Sequence, residues 1–459
     1  MPRSLLPLAA LPLLLAGCGQ IDRAAHVATG FVSHQLCSAT FVTGVDPEAF
    51  YRAAVAPTLG PVDFLLRHKV DRDKAEVTAT FAGMAESRAA FRGPLGCIVL
   101  TEPPPPAEPI ALGEAAPSLL PEISGPTPVE PTDPALEAAL GRAFEEPGGR
   151  PQRGTTAIVV VKGGKVIAER YAPGYGIDSE IIGWSMTKSV TNALLGILVR
   201  QGKISMTAPA PVAAWADPKD PRHAITLDNL LRMNSGLDIG QSLTASFTDA
   251  FDPSTQMEFV ERDMAGFAEK VPPKFAPGSD WNYTNGNTLL LSRVIRDEAG
   301  GTAAATLAFA HRELFERLGM RRVTLEFDAT GTPIGSSHML ASARDWARFG
   351  LLYLHDGVAG GQQILPEGWV DYSAQYTPHS DEYGYAAGFW TNRGNSAGGR
   401  YRIAHGMPAD AFMARGAYGQ YVVIVPSLDL VVVRLGMSFE RRNDLDSVAR
   451  LIADVAALK

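Results

Sequence analysis

Lysine is scarce in this chain: of 459 residues 41 are basic, and only 10 of those are Lys against 31 Arg. A Lys inside a short motif is therefore informative. Charge as a whole is sparse, at 20% of residues with a net value of −8, and no Lys/Arg-rich run occurs. That excludes a basic nucleic-acid-binding surface. The nine His include no His-x-His or His-Glu-x-x-His spacing, so a zinc hydrolase is not expected. An α/β-hydrolase nucleophile elbow is not expected either. Beyond the N-terminus no apolar segment reaches the roughly 20 residues that span a bilayer. Gly and Pro are plentiful, at 45 and 34, but unperiodic, which excludes collagen.

The N-terminus has an addressing pattern. One positive charge at Arg3, a Leu/Ala/Pro stretch from Ser4 to Leu15 and small residues before a break make residues 1–17 a secretory signal. Leu15-Ala16-Gly17-Cys18 resembles the bacterial lipobox, whose Cys is lipidated and becomes the mature N-terminus. The expectation is a periplasmic protein, lipid-anchored to a membrane. Cys37 and Cys97 then remain, and in an oxidising compartment they are expected to form a disulfide.

Three further regions follow. Residues 18–100 carry short apolar segments separated by charged stretches such as Arg67–Lys74, and read as a small α/β domain that needs its disulfide staple. Residues 101–134 hold eleven Pro and no hydrophobic periodicity, and read as a semi-rigid linker. Residues 135–459 behave as one catalytic-sized unit. In it Ala157–Val161, Gly163-Gly164 and Val166–Arg170 predict a hairpin. Helical spacing runs from Ser185 to Gly202, and two apolar strands, Tyr421–Pro426 and Leu430–Leu435, precede a helix from Arg442. Strands at both ends with helices between imply that the two ends share one sheet.

Ser185-Met186-Thr187-Lys188 is the one Ser-x-x-Lys. At i and i+3 the hydroxyl and amine share a helix face, and the Ser sits at the positive end of the helix dipole. A Ser hydroxyl becomes a nucleophile when a base takes its proton, and Lys serves as that base once its pKa is lowered. A Ser cap beside an exposed Lys fits the motif equally well. Tyr283-Thr284-Asn285 is the one Tyr-x-Asn. A phenol beside an ammonium is pushed toward phenolate and shuttles protons; a half-buried structural Tyr is the alternative. Trp184, Trp281, Tyr383, Tyr385, Phe389 and Trp390 lie near these motifs and suit either a cleft wall or a core. His405 is open to both a site role and a capping role.

In this order the two motifs, with Ile225–Leu237, Phe275–Ser279, Leu318–Met320, Ala341–Gly350 and Gly416–Gln420, resemble the β-lactamase-related serine hydrolases. That superfamily contains class C β-lactamases, D-alanyl-D-alanine peptidases, esterases and 6-aminohexanoate-dimer hydrolases. The resemblance implies an α+β fold of the penicillin-binding, DD-peptidase-like type, an antiparallel sheet with flanking helices, preceded here by the small N-terminal domain. It implies Ser185 as acylated nucleophile, Lys188 as activating base, Tyr283 as general base and acid, and Asn285 beside Lys188 or the substrate. The family's Lys-Thr-Gly falls on Arg415-Gly416 after Ala414, so the backbone N–H groups of Ser185 and Ala417 would form the oxyanion hole. Such donors are worth about 3 kcal/mol each in other hydrolases.

The missing Lys, with Arg415 and His405 as the nearest basic groups, points to the esterase and 6-aminohexanoate-dimer hydrolase branch. A Tyr of the nylon-oligomer enzymes has only Phe251 or Phe259 in its vicinity. The expected substrate is a small ester or amide, cleaved with no metal or organic cofactor. The alternatives are a β-lactamase or D-amino-acid peptidase acting on cell-wall fragments, and a non-catalytic envelope-binding lipoprotein.

Overall fold

A computed structural model describes residues 10–105, 109–146, 148, 153–243, 246–439 and 443–458. It begins with one helix, α1 (Ala10–Cys37), followed by short helical turns and four antiparallel strands paired in chain order. These are β1 (Leu66–Asp71), β2 (Glu76–Phe81), β3 (Ala85–Phe91) and β4 (Cys97–Val99). Val32, Leu36, Val55, Leu66, Val77, Ala79 and Ala89 form the unit's own small core. Cys37 and Cys97 are joined at a Cα separation of 6.1 Å, tying the end of α1 to β4.

One expectation changes here. The charged stretch Arg67–Lys74 is not a separator: Arg67 to Asp71 belong to β1, whose alternate residues can stay exposed because only one face meets α1. Helix α1 includes Gly17 and Cys18 of the expected signal. Residues 1–9 of the expected signal lie outside the described residues, and Cys18 is described only as helical backbone.

Among the described residues the Pro-rich stretch has neither helix nor strand between Val99 and Pro134, in keeping with its eleven Pro, which lack a backbone donor. It is nevertheless packed. Leu120 and Ile123 enter the main core, and the Arg344 guanidinium donates to the carbonyls of Gly125 and Thr127.

The remaining chain builds the body. After α2 (Pro134–Phe144) come β5 (Thr155–Lys162) and β6 (Lys165–Tyr171), turned by Gly163-Gly164. Helices α3 (Thr187–Arg200), α4 (Pro253–Val260), α5 (Asn285–Ala299) and α6 (Ala343–Leu354) follow. Then come β7 (Trp390–Thr391), β8 (Phe412–Gly416), β9 (Gln420–Val425), β10 (Leu430–Gly436) and α7 (Asn443–Ala456). The six strands form one antiparallel sheet in the order β7-β8-β9-β10-β5-β6, so the two ends of the body do meet, Val432 pairing with Val160.

Period-2 alternation explains why these strands read as near-continuous apolar runs. Val159, Val161, Val431 and Val433 face α3 and α6, while Ile158, Val160, Leu430 and Val432 face α2 and α7. Both faces are covered. A small three-stranded sheet of Ile181–Ile182, Met339–Ala341 and Val323–Leu325 leads into the turn before α3.

Candidate active site

Ser185 sits in a tight turn, Trp184–Met186, which feeds directly into α3, so the helix proper starts two residues later than the sequence predicts. Trp184 is left-handed at φ +48°. Such a conformation costs a non-glycine residue about 1–3 kcal/mol and persists only where surrounding packing enforces it. The enforcing neighbours are Phe31 of α1, stacked at 6.3 Å, and Tyr418 at 5.5 Å. Tyr418 is itself left-handed at φ +58°.

Between these two residues the end of β8 meets the Ser185 turn. A Cβ on Gly416 would lie 2.1 Å from the Gly183 carbonyl oxygen, so only glycine allows the approach. Ser185 and Ala417 line the same cavity, the placement an oxyanion hole made of their N–H groups requires.

Lys188 projects from the first turn of α3 and is 2% exposed. Its Nζ donates to Asn285 Oδ1 at 2.6 Å and to the Ser336 carbonyl at 2.9 Å, and lies 3.1 Å from Ser185 Oγ. Burial lowers its pKa to about 7, against the opposing pull of Glu258. An ammonium has three N–H donors, a neutral amine two and a lone pair. With two hydrogens held by Asn285 and Ser336, the neutral amine presents its lone pair to the Ser185 hydroxyl. That is the geometry of a base poised on a nucleophile.

Asn285 opens α5, where Thr284 caps the helix and its own N–H is held by Ser242 and Ser254. Glu258 of α4 accepts from the hydroxyls of Ser336 and Ser337 at 2.6 and 2.5 Å, which fixes the turn that supplies the Ser336 carbonyl. The two-motif reading missed Glu258, Ser336 and Ser337. No local signal marks them, because they reach Lys188 only through the packing of α4 against the turn after Ile334.

Tyr283 is 3% exposed, and its ring centroid lies 4.8 Å from Lys188 Nζ. It is enclosed by Trp281, Tyr385 and Trp390 at 6.2, 5.4 and 5.5 Å. Burial pushes its phenol upward, although a hydrogen bond to Ser185 and the Arg415 charge act the other way. The expected phenolate is therefore corrected: low-dielectric packing outweighs the cation, and Tyr283 stays protonated at neutral pH.

Arg415 lies over the rings of Trp390 at 5.4 Å and Tyr421 at 5.6 Å, and faces Tyr283 rather than the cavity. His405 is exposed at the end of the Ala397–Ala404 helix, bonded to the Tyr401 carbonyl at 2.8 Å, away from these groups. The chain does contain a Gly-x-Ser-x-Gly that sequence reasoning missed, Gly394-Asn395-Ser396-Ala397-Gly398. Ser396 is the cap of that helix, its hydroxyl accepting from Gly399 N–H at 2.9 Å, and no nucleophile.

The cavity over Ser185 has a volume of about 400 Å³. Its body-side lining includes Asn285, Ser337, Glu258, Ser242, Ala417 and Tyr418, and Phe251 and Phe259 also face it. Among the described residues one buried group has the composition of a metal site: ligand atoms of His34, Glu326 and His338 lie within 4.8 Å of one another. It sits at the seam between α1 and the body. Glu326 accepts there from His34 Nε2 at 2.6 Å, Ser38 Oγ at 3.0 Å and the Cys97 N–H at 2.8 Å. Burial, with His34 and Lys188 nearby, holds His338 well below the usual imidazole range, so its ring is neutral.

Comparison with known proteins gives the family. Residues 140–457 match the Beta-lactamase family. A 6-aminohexanoate-dimer hydrolase of Paenarthrobacter ureafaciens is 25% identical over 354 residues, 71% of this chain and 83% of that protein. A solved penicillin-binding protein homologue of Caulobacter crescentus superposes with a TM-score of 0.54 at 18% identity, over 73% of this chain and 99% of its own. EstCE1, described as a hydrolase with promiscuous acyltransferase activity, gives 0.54 at 16% identity, over 70% and 97%. The two structural likenesses speak to the fold.

Proposed function

The chain belongs to the β-lactamase family of serine hydrolases, and on that premise we propose that it cleaves small esters or amides through an acyl-enzyme on Ser185. The observation that carries this reading is the three-point setting of Lys188. Two fixed acceptors hold its hydrogens, and Ser185 Oγ lies at 3.1 Å on the third direction. Neutral Lys188 takes the Ser185 proton as Oγ attacks the substrate carbonyl. The tetrahedral oxyanion is received by the N–H groups of Ser185 and Ala417. Tyr283, protonated and packed beside Lys188, passes a proton to the leaving alkoxide or amine, and water then releases the acyl group by the reverse relay.

An ester or amide without a carboxylate anchor is favoured over a β-lactam. The one cation at the family's Lys-Thr-Gly position, Arg415, is packed on Trp390 and Tyr421 instead of lining the cavity. The test is covalent labelling of the purified protein by a fluorophosphonate, followed by intact mass. One adduct, lost in Ser185→Ala and slowed in Lys188→Ala, is the expected result. No adduct on a folded sample would replace the hydrolase by an envelope-binding protein. Turnover of nitrocefin in preference to p-nitrophenyl esters would move the substrate to cell-wall fragments. Lipid attachment at Cys18, and with it a periplasmic, membrane-tethered location, is proposed alongside. Palmitate incorporation that survives in Cys18→Ser would remove that part.

A further inference from the structure

The cavity over Ser185 is built from two unlike walls. Among its lining residues the N-terminal unit supplies nine apolar side chains and a single polar one, Thr58. The Thr58 hydroxyl is already engaged with the Ala54 carbonyl and the Tyr418 hydroxyl. The polar lining otherwise comes from the body, where Ser185, Asn285, Ser337 and Glu258 gather about the nucleophile.

The face that α1 turns to the cavity carries Ile21, Ala24, Ala25, Ala28 and Phe31. Alanines at these positions leave room that larger side chains would fill. The helix is also seated too closely to swing aside freely, since a Cβ on Gly30 would lie 2.7 Å from the Phe259 carbonyl oxygen of α4.

Exposed apolar side chains also border the cavity, alongside the polar Ser246 and Asp249. Ile21 and Phe251 line the cavity and are 58% and 52% exposed. Phe64, in the helical turn Gly60–Leu65 that supplies Val62 to the cavity, and Met84, three residues past the Phe81 of β2 that also lines it, are 70% and 63% exposed. These two segments are drawn together by the Ala82 N–H bond to the Leu65 carbonyl. A volume of about 400 Å³ is within the range of about 300–1,000 Å³ typical of small-molecule sites, and far more than an acetyl group needs.

We propose that this cavity binds the unbranched apolar acyl chain of a carboxylic ester, and that α1 is the element that sets the chain length accepted. The inference rests on the hydrolase reading and narrows its substrate class. The chain lies against α1 while its carbonyl reaches Ser185 and the N–H groups of Ser185 and Ala417. The N-terminal unit is thus a specificity wall, not a spacer.

The test is kcat/KM for p-nitrophenyl acetate, butyrate, hexanoate, octanoate and decanoate. A rise of about fourfold per added methylene is expected until the cavity is full, the factor that corresponds to burying a CH₂ at about 0.8 kcal/mol. Ala28→Phe and Ala24→Phe, each checked for an unchanged melting transition, are expected to lower the octanoate-to-acetate ratio by about tenfold, a little under two methylenes' worth. A flat or falling series in the wild type, or an unaltered ratio in both folded variants, would overturn the proposal.

A second readout is independent of chemistry. A dansyl-labelled fatty acid should bind Ser185→Ala protein with a blue-shifted emission that Ala28→Phe weakens. If no ester is cleaved and no fluorophosphonate adduct forms, but this binding is present, the hydrolase reading fails while the chain site stands. If esters turn over and the probe does not bind, the chain site fails and the hydrolase stands.

Discussion

The two walls of the Ser185 cavity differ in how their residues came to be there. The body wall includes the buried polar groups Asn285 (which holds Lys188), Ser337 and Glu258, each satisfied by a named partner, beside apolar residues such as Phe259 and Ala417. The N-terminal wall is a helix face of Ala, Ile and Phe with almost no hydrogen bonds of its own in the cavity. A polar wall must be exact, because each unpaired buried group costs about 1–3 kcal/mol. An apolar wall needs only volume and shape, and can be re-cut by single side chains. The same cavity thus has one side that fixes the chemistry and another that can tune what enters.

The largest expected effect attacks the polar wall. Lys188→Ala removes the base and is expected to lower kcat by about 10²–10⁴, the usual worth of a positioned proton acceptor, with the fold unchanged by circular dichroism. A loss below tenfold would pass the base role to Tyr283.

The next attacks what holds the other wall in shape. Cys37 and Cys97 close a loop across 60 residues of sequence, and their replacement by Ser should cost the N-terminal unit about 2–5 kcal/mol. Limited proteolysis should then cut within residues 19–99 long before the body unfolds. At the seam, Glu326→Ala strands His34, Ser38 and the Cys97 N–H together, each unpaired donor costing about 1–3 kcal/mol. Hydrogen exchange should accelerate in α1 and β4 while β5, β9 and β10 keep their protection. Uniform acceleration would mean that the two regions unfold as one.

The pH profile sharpens the comparison on the polar side. Lys188 is lowered to about 7, so below that value its lone pair is occupied by a proton. kcat/KM should fall about tenfold per pH unit on the acid side and level off above, with the break near pH 7. The chain-length preference set by the apolar wall should be the same at both ends of the profile.

The smallest effect is Tyr418→Phe, which removes the 3.0 Å bond to Thr58 that joins the two walls beside the oxyanion turn. About 1 kcal/mol of stability should go, read as a lower melting temperature.

Much of the chemistry was legible from contiguous residues. Ser185 and Lys188 are three apart across the turn that opens one helix, and Tyr283 and Asn285 flank the start of another, so local geometry brings each pair close to its task. The β5–β6 hairpin and the valine-rich β9 and β10 were legible because period 2 and turn chemistry are local properties. The phenolate expectation for Tyr283 failed for a reason no motif contains: Trp281, Tyr385 and Trp390 come from separate segments, and together they exclude the water that would stabilise the charge.

By itself the sequence determined the family, the candidate Ser185 and Lys188 pair, and a disulfide-stapled unit ahead of a Pro-rich stretch, since all of these are carried by residue types at short spacings. Tertiary structure alone decided that Glu258 fixes the Ser336 carbonyl on Lys188, that Glu326 ties α1 to the body, and that α1 faces Ser185 across a cavity. Those contacts join residues 78, 292 and 164 positions or so apart. No local pattern encodes such a meeting. It is fixed only when the apolar faces of separate elements find one another and exclude water between them.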